Sequence, residues 1–212
     1  MPNKNIILII RTIKDEEDYA TKYIFHWAGL VKYDAELLGL KVIDLQNENV
    51  TEENITKMIE EFDPYIIFLN GHGTDYSFKG KDGETDIIVR CKNDHLFKGR
   101  VVYALSCSTA NILGKSSRNK GCECYIGYTN EIIFPTQKLD DPLSDSVSRP
   151  FMMISNEIVM TLIRGGSPEE AIQNFYRLSD GLIDYWKRKD LPVAPIIRRY
   201  LESVKKMIYS PI

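Results

Sequence analysis

The chain is 212 residues long, 43% hydrophobic and 27% charged, with a net charge of -3 and a pI near 5.7. That composition supports a buried core in one domain spanning residues 1–212, and it leaves no basic stripe of the kind that binds nucleic acid. The apolar run at residues 6–10 stops at Arg11, far too early for a signal-peptide core or a membrane span. The expected setting is therefore cytoplasmic, with no membrane partner and with Cys91, Cys107, Cys122 and Cys124 as reduced thiols.

The elements follow one another in a regular alternation. Residues 6–10 are an unbroken aliphatic run, as in a central parallel strand buried on both faces. Asp15, Glu16, Glu17 and Asp18 come next, acids suited to the first turn of a helix. Ala20, Tyr23, Ile24, Trp27, Ala28 and Val31 then mark one face of that helix, which Gly39 stops. His26 lies off this stripe and reads as a surface residue. A second strand covers residues 41–45. Thr51 caps the next helix, whose buried face is Ile55, Met58, Ile59 and Phe62. A third strand covers 65–69. The β-α-β-α-β order predicts a parallel sheet with right-handed crossovers.

After the third strand the pattern changes. Residues 75–89 hold the turn signal Gly80-Lys81-Asp82-Gly83 and predict a hairpin beside the strand end. Residues 92–97 predict a helical turn carrying His95, read as a loop or surface histidine. The fourth strand covers 101–105, with a helix start expected from Ser108. The fifth covers 123–128. Residues 135–150, rich in proline, serine and aspartate, have no apolar periodicity and predict a mobile lid, a cleavage loop or a disordered segment. Three helices close the chain. The second opens at Ser167-Pro168-Glu169-Glu170, a capping box with proline at its first position. The expected fold class is thus α/β: a three-layer α/β/α sandwich around a mostly parallel sheet of five or six strands, ordered about 2-1-3-4-5, plus a hairpin after strand 3.

Two of these strands carry the chemistry. The third runs into Asn70-Gly71-His72-Gly73 and the fourth into Ser106-Cys107-Ser108. In an open parallel sheet the carboxyl edge is where ligands bind, so neighbouring strands would set His72 against Cys107. A nearby imidazole and a helix start behind Cys107 would both favour the thiolate. The N–H groups of Gly73 and Cys107 are candidate donors to an oxyanion; Gly71 and Gly73 equally suit a tight turn. Cys122-Glu123-Cys124 has no second pair for zinc, no glycine-rich phosphate loop follows Ile10, and Leu113 occupies the place where a Cys-x5-Arg phosphatase loop needs arginine. No metal and no cofactor are expected.

These residues resemble the clan CD cysteine peptidases, the caspase-like group, and most closely its CHAT and separase side. The resemblance is carried by the strand ending in His72-Gly73 and the strand ending in Cys107. Ser106-Cys107-Ser108-Thr109-Ala110, Leu113-Gly114, Tyr125-Ile126-Gly127-Tyr128 and Gly166-Ser167-Pro168-Glu169-Glu170-Ala171 extend it over residues 6–171. It implies a single caspase-like domain and a cysteine endopeptidase. His72 is then the general acid/base and Cys107 the nucleophile, the substrate is a protein or peptide, and a regulatory protein partner, a signal or a loop controls activity. It also implies that Tyr128, Thr129 and Asn130 shape the P1 pocket. Two departures stand out: serine precedes Cys107, and no arginine pair is present to bind a P1 aspartate. Glu131 or Asp75 would instead favour a basic P1. The rival reading is an inactive caspase-like interaction module, in which Cys107 is a small buried hydrophobe.

Overall fold

The computed structural model of the chain describes residues 1–210. Its elements are β1 (Asn3–Arg11), α1 (Tyr19–Leu37), β2 (Lys41–Gln46), α2 (Glu52–Phe62), β3 (Pro64–Asn70), β4 (Ser77–Lys79), β5 (Asp86–Val89), β6 (Val101–Leu105), α3 (Leu113–Asn119), β7 (Cys124–Tyr128), α4 (Arg149–Ile163), α5 (Pro168–Lys187), α6 (Ala194–Met207) and β8 (Ile208–Tyr209). This is an α/β fold with a mostly parallel sheet of six strands between helices.

The aliphatic runs are strands because both of their faces are buried. Along β1, Ile7 and Ile9 pack beneath α1, α4, α5 and α6, while Leu8 and Ile10 pack beneath α2, α3 and the β4–β5 hairpin. The same alternation recurs along β3 and β6. The helix starts follow their local signals. Thr51 Oγ1 accepts the Asn54 N–H at 3.1 Å, and Ser167 and Glu170 form the reciprocal capping box. No helix among the described residues is long and apolar enough to cross a membrane.

The strand order differs from the expected 2-1-3-4-5. It is β2-β1-β3-β6-β7-β8: the five expected strands are β1, β2, β3, β6 and β7, the hairpin strands form a sheet of their own, and the difference is β8, which adds an antiparallel edge on Gly127 and Tyr128 of β7. α6 ends at Met207, and Ile208 already belongs to β8. The 135–150 segment also differs from expectation. It is tied to α1 by the buried Asp145, whose carboxylate accepts Tyr23 Oη–H at 2.8 Å, Thr136 Oγ1–H at 2.8 Å and the N–H groups of Gln137, Val147 and Ser148. Trp27 Nε1 donates to the Pro142 carbonyl at 3.3 Å. An irregular segment with this much polar anchoring is an ordered strap rather than a disordered one.

Candidate active site

Register alone sets His72 beside Cys107. β3 and β6 are parallel neighbours with Asn70 opposite Leu105, and each reactive residue comes two positions later. The Gly71 N–H still reaches the Leu105 carbonyl at 3.4 Å, so the pairing continues one step past the strands. Both side chains open onto a cleft of about 440 Å³.

The histidine is held from three sides. Its Nε2 lies 2.5 Å from Asp18 Oδ2. Its carbonyl accepts the Lys79 N–H at 3.0 Å, which ties the turn to the hairpin. The hairpin tip covers the ring: a Cβ on Gly83 would sit 3.2 Å from His72 Cδ2, and Gly83 has a left-handed φ of +74°. Asp18 is the N-cap of α1, and its other oxygen accepts the Thr21 N–H at 3.1 Å. Burial acts to raise the Asp18 pKa, but the His72 ring and the Thr21 amide outweigh it and hold the carboxyl below its usual range. The ionised Asp18 accepts from Nε2–H, which fixes the orientation of the ring and leaves Nδ1 as the other nitrogen, without a partner among the described residues. Asp18 was legible in the sequence only as one of four acids at a helix start. Its place immediately before the first helical residue is the signal that marks it as the cap.

The cysteine is held differently. Behind it the chain turns through residues 106–112, and α3 begins only at Leu113, so the helix start expected at Ser108 is not there. Ser108 adopts a left-handed φ of +57°, which breaks any helix at that point. Burial pushes the Cys107 thiol above its ordinary pKa. The Ile132 N–H, donating to Sγ at 3.3 Å, pulls the other way, and the Glu131 and Asp18 charges add to the rise. No hydrogen bond joins His72 to Cys107 among the described residues. The preformed thiolate expected from an imidazole and a helix terminus is therefore replaced by a protonated, sheltered thiol.

The two loops touch through Gly73. A Cβ there would lie 2.2 Å from Ser106 Oγ, 2.5 Å from Thr109 Cγ2 and 3.0 Å from the Cys107 carbonyl oxygen. Gly71 is equally confined, with its Cβ position 2.6 Å from Thr12 Oγ1. Neither has a positive φ. Close approach of the two loops, rather than a left-handed turn, is what requires glycine. Neither the Gly73 nor the Cys107 N–H donates to a backbone carbonyl among the described residues.

Residues 128–130 do not line this cleft. Tyr128 is fully buried, with its hydroxyl 3.2 Å from Tyr103 Oη and 3.1 Å from Ser155 Oγ. Thr129 donates to the Met207 carbonyl through both N–H and Oγ1–H, at 2.9 and 3.1 Å. Asn130 is exposed and uses its carbonyl to accept the Ser108 N–H. The wall is made by the next residues, Glu131, Ile132 and Ile133. Asp75 also lines the cleft, with Oδ1 accepting from Asn111 Nδ2 at 3.0 Å. His26 and His95 are exposed, and neither lines the cleft. A scan against protein-family models finds no match to the chain, and a search of curated proteins finds no similar sequence.

Proposed function

We propose that the protein is a cysteine endopeptidase of the caspase-like, clan CD type, acting in the cytoplasm on protein or peptide substrates. The observation that carries this reading is the matched register: His72 and Cys107 leave adjacent parallel strands at the same step and share one cleft. The four cysteines are free, as a reducing compartment keeps them.

The chemistry follows from the positions. The Cys107 thiol gives its proton to His72 as a substrate carbonyl arrives, and the sulfur bonds to the carbonyl carbon. The resulting oxyanion takes the Gly73 and Cys107 N–H bonds. The carbon–nitrogen bond then breaks, the amine leaves with the proton from His72, and a thioester remains. Water, losing its proton to His72, hydrolyses the thioester and restores the thiol. Asp18 holds the ring in the orientation this cycle needs and touches no reacting atom. Hydrolysis of a mixed peptide library, compared between the wild type and Cys107→Ala, tests the reading. Turnover should fall by about 10³-fold or more in the variant. Equal turnover in both proteins would refute a cysteine nucleophile.

A specific observation favours a second reading, the inactive interaction module. The thiol is half-buried, held above its ordinary pKa, and engaged by the Ile132 amide rather than by His72. The peptidase reading accounts for this as a resting state. In that state, the segment carrying Ile132 must shift for Cys107 to meet a substrate, and a partner or signal acting on that segment would regulate it. Reaction of Cys107 with an electrophilic peptide separates the two readings.

A further inference from the structure

A second, smaller cavity of about 100 Å³ also meets both His72 and Cys107, on the side facing α1. We propose that it receives the P1 side chain, the one on the acyl side of the scissile bond, and that it selects a small aliphatic residue between alanine and leucine in size. This rests on the cysteine-peptidase reading, since it assigns a substrate to the same nucleophile.

Three observations carry it. The first is position. A carbonyl carbon bonded to Cys107 Sγ places the adjoining side chain within a few ångströms of the sulfur, and this cavity is the apolar space that the sulfur's residue borders. The second is lining. Its walls are Ile24, Leu105, Ile132 and Phe134, with Ala20 exposed in the first turn of α1. The Thr21 hydroxyl already accepts the Lys14 N–H at 3.1 Å, and no carboxylate or guanidinium lines the space. A charged side chain would lose its hydration there without gaining a counter-ion. Glu131 and Asp75, the residues that pointed to a basic P1, line only the outer cleft. The third is size. At about 100 Å³ the space is smaller than the ~150 Å³ cavity that admits a benzene ring. Branched aliphatic side chains suit it and aromatic ones do not.

The test uses the full chain and a panel of peptide acyloxymethyl ketones identical except at P1: alanine, valine, leucine, phenylalanine, aspartate and lysine. Intact mass and peptide mapping follow labelling of Cys107. The aliphatic probes should label about tenfold faster than the charged or aromatic ones. Ile24→Ala enlarges the cavity and should move the optimum toward phenylalanine. Should that variant fail to fold, Ala20→Leu, at an exposed site, should slow the leucine probe relative to alanine. Fastest labelling by lysine or aspartate, or equal rates across the panel, would overturn the P1 assignment and leave the nucleophile intact. Absence of labelling by every peptide ketone would overturn both.

Discussion

The loops that follow β3 and β6 leave the sheet at the same step, yet they are built on opposite plans. The histidine loop is positioned by polar contacts: a carboxylate on the ring, a strand bond on its carbonyl, a hairpin tip against its edge. The cysteine loop is positioned by burial, by a left-handed Ser108 and by the Ile132 amide on the sulfur. Polar anchoring fixes the orientation of the ring, whereas burial holds the thiol above its ordinary pKa. In the proposed peptidase the imidazole is therefore oriented before substrate arrives, and the thiol is still to be ionised. If the two halves were equally ready, an ion pair would already join them.

The pH dependence of thiol reactivity should break that comparison most sharply if it is wrong. A thiol held above its ordinary pKa reacts through a thiolate fraction that grows about tenfold per pH unit below the pKa. Alkylation of Cys107, followed by mass spectrometry, should therefore rise roughly a hundredfold between about pH 7 and 9. A flat profile over that range would mean a preformed ion pair with His72. The next effect concerns the strap. Asp145→Ala strands several donors and should cost about 2–3 kcal/mol, a drop in melting temperature of about 4–12 °C for a chain of this size, and it should speed alkylation of Cys107. The Asp145 carboxyl is held below its ordinary value; burial acts to raise it, but the Gln137 amide, the Tyr23 and Thr136 hydroxyls and the Ser148 amide prevail. Its stabilising contribution is thus complete above the unfolded carboxyl pKa and is lost as pH falls through the lower folded value. Melting curves taken below about pH 4 should converge for the wild type and Asp145→Asn.

Gly73→Ala acts where the two loops meet. The added methyl has no room against Ser106 and Thr109, and overpacking of this kind costs about 1–3 kcal/mol. Ser106→Gly in the same chain should recover part of the loss, since Ser106 Oγ is the nearest atom; urea unfolding of the single and double variants measures the coupling. The smallest effect on stability, and the most informative for the histidine side, comes from Asp18. Asp18→Ala removes the α1 cap at a cost of about 1 kcal/mol, while Asp18→Asn keeps a good cap and costs only tenths. Both should reduce peptide turnover by about tenfold or more, because the ring loses its charged partner. Asparagine restoring stability but not rate would separate the capping role from the positioning role; full rate in Asp18→Asn would remove Asp18 from the site.

How much of this the sequence discloses depends on the range of each interaction. The buried strands are legible because an aliphatic run such as residues 6–10 carries its own explanation. The capping box at Ser167 is legible for the same local reason. Asp18 is not, because its partner lies 54 residues away and three neighbouring acids have the same composition. The helix expected behind Cys107 fails at one residue: Ser108 has an ordinary capping identity but a left-handed backbone, and its N–H donates to the Asn130 carbonyl. Asp145 is invisible to periodicity because its partners are hydroxyls and amides from α1 and the surrounding strap. β8 is too short to show a pattern at all, at two residues. Tyr128 illustrates the limit of transferring a pocket by position: it is the last residue of β7, and its side chain turns into the core, so the cleft wall begins three residues later.

The contact between the Ile132 amide and Cys107 Sγ gives the protein a resident gauge. The chemical shift of a backbone proton pointed at sulfur depends on the charge that sulfur carries. In a ¹⁵N-labelled sample the Ile132 resonance should move as the thiol ionises, move again when the sulfur is acylated, and broaden when the segment carrying Ile132 moves. One peak, with no dye or substrate added, would then report on the nucleophile and on its cover together.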